Sequence, residues 1–180
     1  MLMACFAQVT MPAIEVYSKE GKADPAADAL KQEIREDLGI NTDLEIRTIS
    51  RYNLEGNLGQ EVLEQIGNKL LADPVEQAFS LAPYLPAGSW EIVVSLNPDV
   101  TDNVGTAAAE AIADLKGEDT EAVGKVRVDR KYLIRGEIEE SEIKRICKDL
   151  LANEVIEQFS YRKSGERDSE ITPSQPGESG

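Results

Sequence analysis

A twelve-residue run occurs twice in this chain, and that repetition limits the possible folds more than any other feature. Leu70-Leu71-Ala72-Asp73-Pro74-Val75-Glu76-Gln77-Ala78-Phe79-Ser80-Leu81 aligns without a gap on Leu150-Leu151-Ala152-Asn153-Glu154-Val155-Ile156-Glu157-Gln158-Phe159-Ser160-Tyr161, and six of the twelve positions are identical. Average residue usage of roughly 5–9% each would give about one match by chance. The register extends upstream at the same offset of 80, so that Arg47 meets Arg127, Tyr52 meets Tyr132 and Gly56 meets Gly136. Earlier still the offset is 78, matching Ile14 to Ile92, Val16 to Val94 and Asp24 to Asp102. The two-residue difference falls in the polar segment around Gly117 to Gly124, where an insertion is easily absorbed.

The chain is therefore expected to hold two like units, residues 12–81 and 89–163, joined by a connector at 82–88. Pro83, Pro86 and Gly88 make that connector short and fairly stiff. Residues 1–11 are expected to be a flexible N-terminus, with Met11 an alternative start. Residues 164–180, rich in Gly, Ser, Pro and charge, are expected to be a disordered tail, whether a natural end or the beginning of a linker.

Each unit reads strand–helix–strand–helix–strand. Ile14 and Val16, like Ile92, Val94 and Leu96, alternate with polar residues at the period of a half-buried strand. Asp24-Pro25 offers an N-cap followed by proline at the first helical position, and Asp102-Asn103 takes that place in the second unit. Leu30, Ile34 and Leu38 give the helix an apolar stripe, and Gly39 can end it. The matching second-unit helix is Ala-rich from Ala107 to Ala113, which permits close approach to the sheet or to the other unit. No turn signal interrupts Leu44 to Glu55, which predicts one long middle strand, matched by Val126 to Ile134.

The second helix carries Val62, Ile66 and Leu70 in the first unit. In the second it carries Ile143, Ile146, Cys147, Leu150 and Leu151, with Ser141 as the expected cap. Gly67 stands where the second unit has Cys147. An interior glycine costs about 1 kcal/mol against alanine, so a close packing contact is expected there.

A unit of about 70 residues buries only about 60% of its surface and is marginal alone. Two such units can cover each other as an intramolecular pseudo-dimer, tethering replacing bimolecular association. The expected class is α+β, two tandem βαβαβ units, each a small sheet with two helices.

Charge narrows the function. Against 19 Lys and Arg stand 34 Asp and Glu, a formal charge of −15, which repels nucleic-acid backbones and anionic lipids. Histidine, the commonest general base and metal ligand, does not occur. Cys5 and Cys147 offer no metal spacing or disulfide framework, in keeping with a reducing, cytoplasmic compartment, and Cys147 on its apolar stripe reads as a small buried hydrophobe. No apolar run reaches the ~20 residues of a membrane span. Met1 to Thr10 is apolar but has no basic flank and does not read as a signal peptide.

The run Lys148-Asp149-Leu150-Leu151-Ala152-Asn153-Glu154-Val155-Ile156-Glu157, the Arg127-x₄-Tyr132 spacing and the Val16 to Pro25 start together resemble the PurS subunit family of phosphoribosylformylglycinamidine (FGAM) synthase. Lys69 to Glu76 is a looser copy, lacking the isoleucine between Val75 and Glu76. The tandem pair is also similar to the N-terminal region of longer synthase chains of that pathway. The resemblance implies a non-catalytic bridging component in purine biosynthesis, with no cofactor of its own. Its implied partners are a PurL-type synthase and a PurQ-type glutaminase between whose sites ammonia passes. Further self-association stays open. An alternative class is a small-molecule-sensing regulatory module, since paired α+β units also bind effectors at their interface.

Tyr52, Arg127, Arg130, Lys131 and Tyr132 on the long strands are the candidate partner-interface residues, against the plainer reading of packing for the tyrosines and a solvated strand face for the cations. Asp24 and Asp102 read as caps before catalytic carboxylates, and Trp90 as a cover for the joint between units.

Overall fold

The structure, a computed structural model, describes residues 11–117 and 123–165. Expectations for residues 1–10, Cys5 among them, for 118–122 and for 166–180 lie outside the described residues.

Six strands and four helices follow one another as β1 (Ala13–Ser18), α1 (Pro25–Leu38), β2 (Glu45–Leu54), α2 (Gln60–Ile66), β3 (Gln77–Ser80), β4 (Trp90–Leu96), α3 (Asn103–Lys116), β5 (Val126–Arg135), α4 (Glu140–Ile146) and β6 (Glu157–Lys163). They build an α+β fold on one six-stranded sheet, ordered β3-β1-β2-β5-β4-β6, with every described pairing antiparallel. Two small sheets were expected, and a continuous one is found. The reason is the length of β2 and β5: they pair along their whole extent, from Glu45 opposite Arg135 to Leu54 opposite Val126, so no strand edge is left open in the middle.

Local signals place the elements. The Asp24 carboxylate accepts from the Ala27 N–H at the start of α1, and Pro25 occupies the first turn. Its other oxygen accepts from the Thr48 N–H of β2 at 2.8 Å, so the cap also fastens helix to strand. Asp102 repeats the device, accepting from Gly105 N–H at 2.7 Å and from Val128 N–H at 2.8 Å. Gly39 closes α1 in the left-handed region at φ 67°, as its sequence position predicts. The cap of α4 differs from expectation. Glu139, not Ser141, is its N-cap, and its N–H donates to the Glu142 carboxylate at 2.9 Å, a reciprocal arrangement that leaves Ser141 inside the first turn. Both α2 and α4 end in a π-helical turn, Gly67–Leu71 and Cys147–Leu151, which nothing in the sequence announces.

Most apolar strand residues, Ile14, Val16, Ile46, Ile92, Val94 and Ile134 among them, fall on the sheet face that the helices cover, while Ile49 and Leu133 are buried on the opposite face beside Lys131. One core joins Ala27, Leu30 and Ile34 of α1 to Ile143, Ile146 and Cys147 of α4 over β4, β5 and β6. The other joins Leu63 and Ile66 of α2 to Ile112 of α3 over β1 and β2. Each core thus takes one helix from the first half of the chain and one from the second. Trp90 lies in the first core, which draws on both halves of the chain, its ring 6.2 Å from that of Tyr161. Among the described residues no helix is long and apolar enough to cross a membrane.

Two glycines are set by close approach. A Cβ on Gly67 would stand 2.5 Å from the Phe79 ring, and one on Gly105 would stand 2.1 Å from the Val126 carbonyl oxygen. In an open helix Gly→Ala gains about 1 kcal/mol. Here Gly67→Ala and Gly105→Ala are both expected to destabilise, by about 1–3 kcal/mol. Gly105→Ala should cost more, because backbone cannot swing aside as a ring can. Urea midpoints of the two variants check this, and a stabilised Gly67→Ala would contradict the packing described.

Candidate functional site

The five candidate residues lie on β2 and β5, yet the structure separates them into three environments. Tyr52 packs at the margin of the α2–α3 core, and Tyr132 is buried in the α1–α4 core. Burial raises both phenol pKa values. In Tyr132 the neighbouring Arg130 opposes the rise without cancelling it. These tyrosines are packing residues of the helical layer.

Lys131 sits on the other sheet face and is 1% exposed. Its ammonium donates to Glu15 Oε1 at 2.8 Å and pairs with Glu91 Oε2 at 2.9 Å. Glu91 Oε1 in turn accepts from Arg162 Nε at 2.8 Å, and Glu15 Oε2 from the Tyr84 N–H at 2.8 Å. The connector crosses this face, pinned where Tyr84 stacks on Tyr17 at 5.2 Å and Arg47 lies over both rings. In this conformation the enclosed Lys131 ammonium has no surface to offer a partner. The basic residues Arg127, Arg130 and Lys131 of β5 therefore split between a surface role and an interior one.

Arg127 and Arg130 support, from its two flanks, a turn that the strand reading left out. Arg130 Nη2 donates to the Leu151 carbonyl at 3.1 Å and to Glu157 Oε1 at 2.6 Å. Glu157 Oε2 accepts from the Asn153 N–H at 2.8 Å, and the Asn153 side chain accepts from the Val155 N–H at 3.2 Å. On the other flank Arg127 Nη2 donates to the Leu96 and Asn97 carbonyls, while Asn97 N–H donates to the Ile156 carbonyl at 2.8 Å. The turn 153–156 is held from both sides and points two apolar side chains outward, Val155 at 83% and Ile156 at 39% exposed. Lone exposed apolar residues are ordinary. An apolar tip held by Glu157 and Asn97, which Arg130 and Arg127 fix in turn, has already lost the freedom that binding would otherwise have to remove.

The corresponding turn in the first half, Asp73 to Glu76, also exposes its valine, Val75 at 65%. Asp73 accepts there from the Val75 and Glu76 N–H groups, and those bonds hold its carboxyl below the usual range. Its outer support is the Lys22–Glu76 ion pair and a bond from Lys19 Nζ to the Pro74 carbonyl. Ser50 stands where the second half has Arg130, so the arginine brace is on the second turn alone. The signal in the sequence was the repeated Leu-Leu-Ala run itself, whose function as a helix end and strand start hid the exposed tip between them.

The buried ion group sets an acid limit. Burial pushes the Glu91 carboxyl up, but hydrogen bonds from Lys131 and Arg162 outweigh it, and its pKa lies below the ordinary 4.5. A depressed carboxyl contributes stability above its unfolded value and loses it as pH falls through the folded one. The urea midpoint should therefore fall between about pH 5 and about pH 3. Lys131→Met leaves buried Glu15 without its cation and Glu91 with Arg162 alone, and should cost about 3–5 kcal/mol at neutral pH. Its deficit should shrink in acid, where those carboxylates protonate. A deficit that stays constant with pH would contradict this arrangement.

Among the described residues no group of three His, Cys, Asp or Glu is placed to hold a metal. Cys147 is fully buried, and burial pushes its thiol up to about 12, so it is protonated at neutral pH. Residues 89–165 match the family model described as PurS: phosphoribosylformylglycinamidine (FGAM) synthase. Residues 12–81 lie outside that match. No curated protein matches the chain.

Proposed function

We propose that this chain is a PurS-type assembly component of FGAM synthase, in which two tandem units, 12–81 and 89–163, stand in for a two-subunit dimer. The observation that carries the reading is the family match over 89–165, a PurS-like region. That family serves FGAM synthase in purine biosynthesis as a non-catalytic subunit.

The tandem arrangement is supported by the strand order, which runs β3-β1-β2 and then β5-β4-β6, each half reading outward from the central pair. It is also supported by the register. Ser50 lies opposite Arg130, a separation of 80 that equals the sequence offset of the repeat. That register is the one a twofold axis through the pair would require. The paired cores fit the same symmetry, α1 with α4 and α3 with α2.

In this reading the protein is cytoplasmic and bridges a PurL-type synthase and a PurQ-type glutaminase so that ammonia passes between their sites. The partner surface is the braced turn, with Val155 and Ile156 as apolar anchors and Arg127 and Arg130 fixing them. A chain of charge −15 would meet a basic partner face, with association that weakens as salt rises. Tyr52 and Tyr132 serve that surface indirectly, by holding the helical layer beneath it.

Reconstitution tests the proposal. Glutamine-dependent amidine formation by the synthase and glutaminase should require this chain, and the chain alone should turn over neither ATP nor glutamine. Val155→Asp, on an exposed tip, should leave circular dichroism unchanged and weaken association by about tenfold or more. A full glutamine-dependent rate without the chain, or intrinsic turnover by it, would overturn the assembly role.

A further inference from the structure

The helix-free sheet face carries a feature that the assembly reading does not use. A cavity of about 260 Å³ opens there across β2, β4 and β6, lined by Arg51, Glu91, Val93, Ser160, Tyr161 and Arg162. Its volume is below that of ordinary small-molecule pockets, roughly 300–1,000 Å³, and suits a single polar group with its hydration rather than a whole nucleotide.

The lining is electrostatically uneven. Both oxygens of Glu91 are taken, one by Lys131 and one by Arg162. Arg51 is different. Its Nε is closed off from solvent and has no acceptor among the described residues. Asp129 stands directly opposite it on β5, but turns Oδ2 to the Asn53 amide at 2.8 Å. An orphaned buried N–H is unfavourable, and a guanidinium offers a planar pair of donors matched to an oxyanion. The chain's overall negative charge weighs little at this range, because exposed charges beyond about 8 Å are screened at physiological salt.

We infer that this cleft is a subsite for one oxyanion, a carboxylate or a phosphate group, with Arg51 as its cation and the Ser160 hydroxyl as a further donor. The inference stands on the cleft alone and is independent of the assembly role. Asp129 is the group that competes with the ligand for Arg51.

The test is a titration of the full chain with sodium phosphate and, separately, sodium acetate at constant ionic strength. The ¹H–¹⁵N signal of the Arg51 Nε is followed. A saturable shift in the millimolar range is expected with at least one anion, and comparing the two distinguishes phosphate from carboxylate. Arg51→Gln should abolish it or weaken it about tenfold without lowering the urea midpoint, because the variant removes an unpaired buried N–H. Asp129→Asn, which removes the competing charge, should tighten it. No saturable shift with either anion, or equal binding by Arg51→Gln, would overturn the inference, as would weaker binding by Asp129→Asn.

Discussion

The β2–β5 ladder is the interaction on which the rest of the structure depends. Ten residue pairs, Glu45 opposite Arg135 through Leu54 opposite Val126, join three strands from each half into one sheet. Cross-strand pairs contribute roughly 0.2–1 kcal/mol each, so a ladder of this length outweighs any single contact elsewhere. It also abolishes two edges that would otherwise lie exposed, and leaves β3 and β6 as the outer strands. Without it α1 and α3 would each keep only the long strand of their own half and lose the helix of the other half that shares their core.

The two faces of that sheet solve different problems. The helical face is apolar except at its midline, where Asp24 and Asp102 tie the helix starts to Thr48 and Val128. The opposite face holds a lysine almost out of contact with water, and a lone buried ammonium there would be untenable. Two carboxylates from β1 and β4 flank it, drawing strands of both halves onto one charge. The connector then closes over the group through Tyr84. Polar residues on a strand face do not by themselves mean a wet face.

Much of this was legible in the sequence because it was written in local chemistry. The Asp24-Pro25 start, the Gly39 stop, the unbroken middle strands and the tight fit at Gly67 all follow from residues close in the chain. What was not legible depends on distant residues. Lys131 looks like a surface cation until Glu15, 116 positions away, is placed beside it. Nothing local reveals that β2 and β5 pair with each other, so two small sheets were expected where there is one. Ser141 lost the cap of α4 to Glu139 because the reciprocal bond with Glu142 is available one turn on. The turn at 153–156 was visible as a repeated run, but the two arginines that brace it reach it only through the fold.

The pairing of α1 with α4 has a consequence for how the chain comes off the ribosome. Leu30 and Ile34 emerge early, but the residues that cover them, Ile143 to Cys147, are made more than a hundred positions later. At elongation rates of 5–20 residues per second that delay is on the order of ten seconds. For that interval α1 has only the first-half part of its core, Ile40, Leu44 and Ile46, to pack against, and the rest of its apolar face stays uncovered. Such a sequence must stay soluble through its own acidity, and the abundance of Asp and Glu around that helix is a physical answer to the wait.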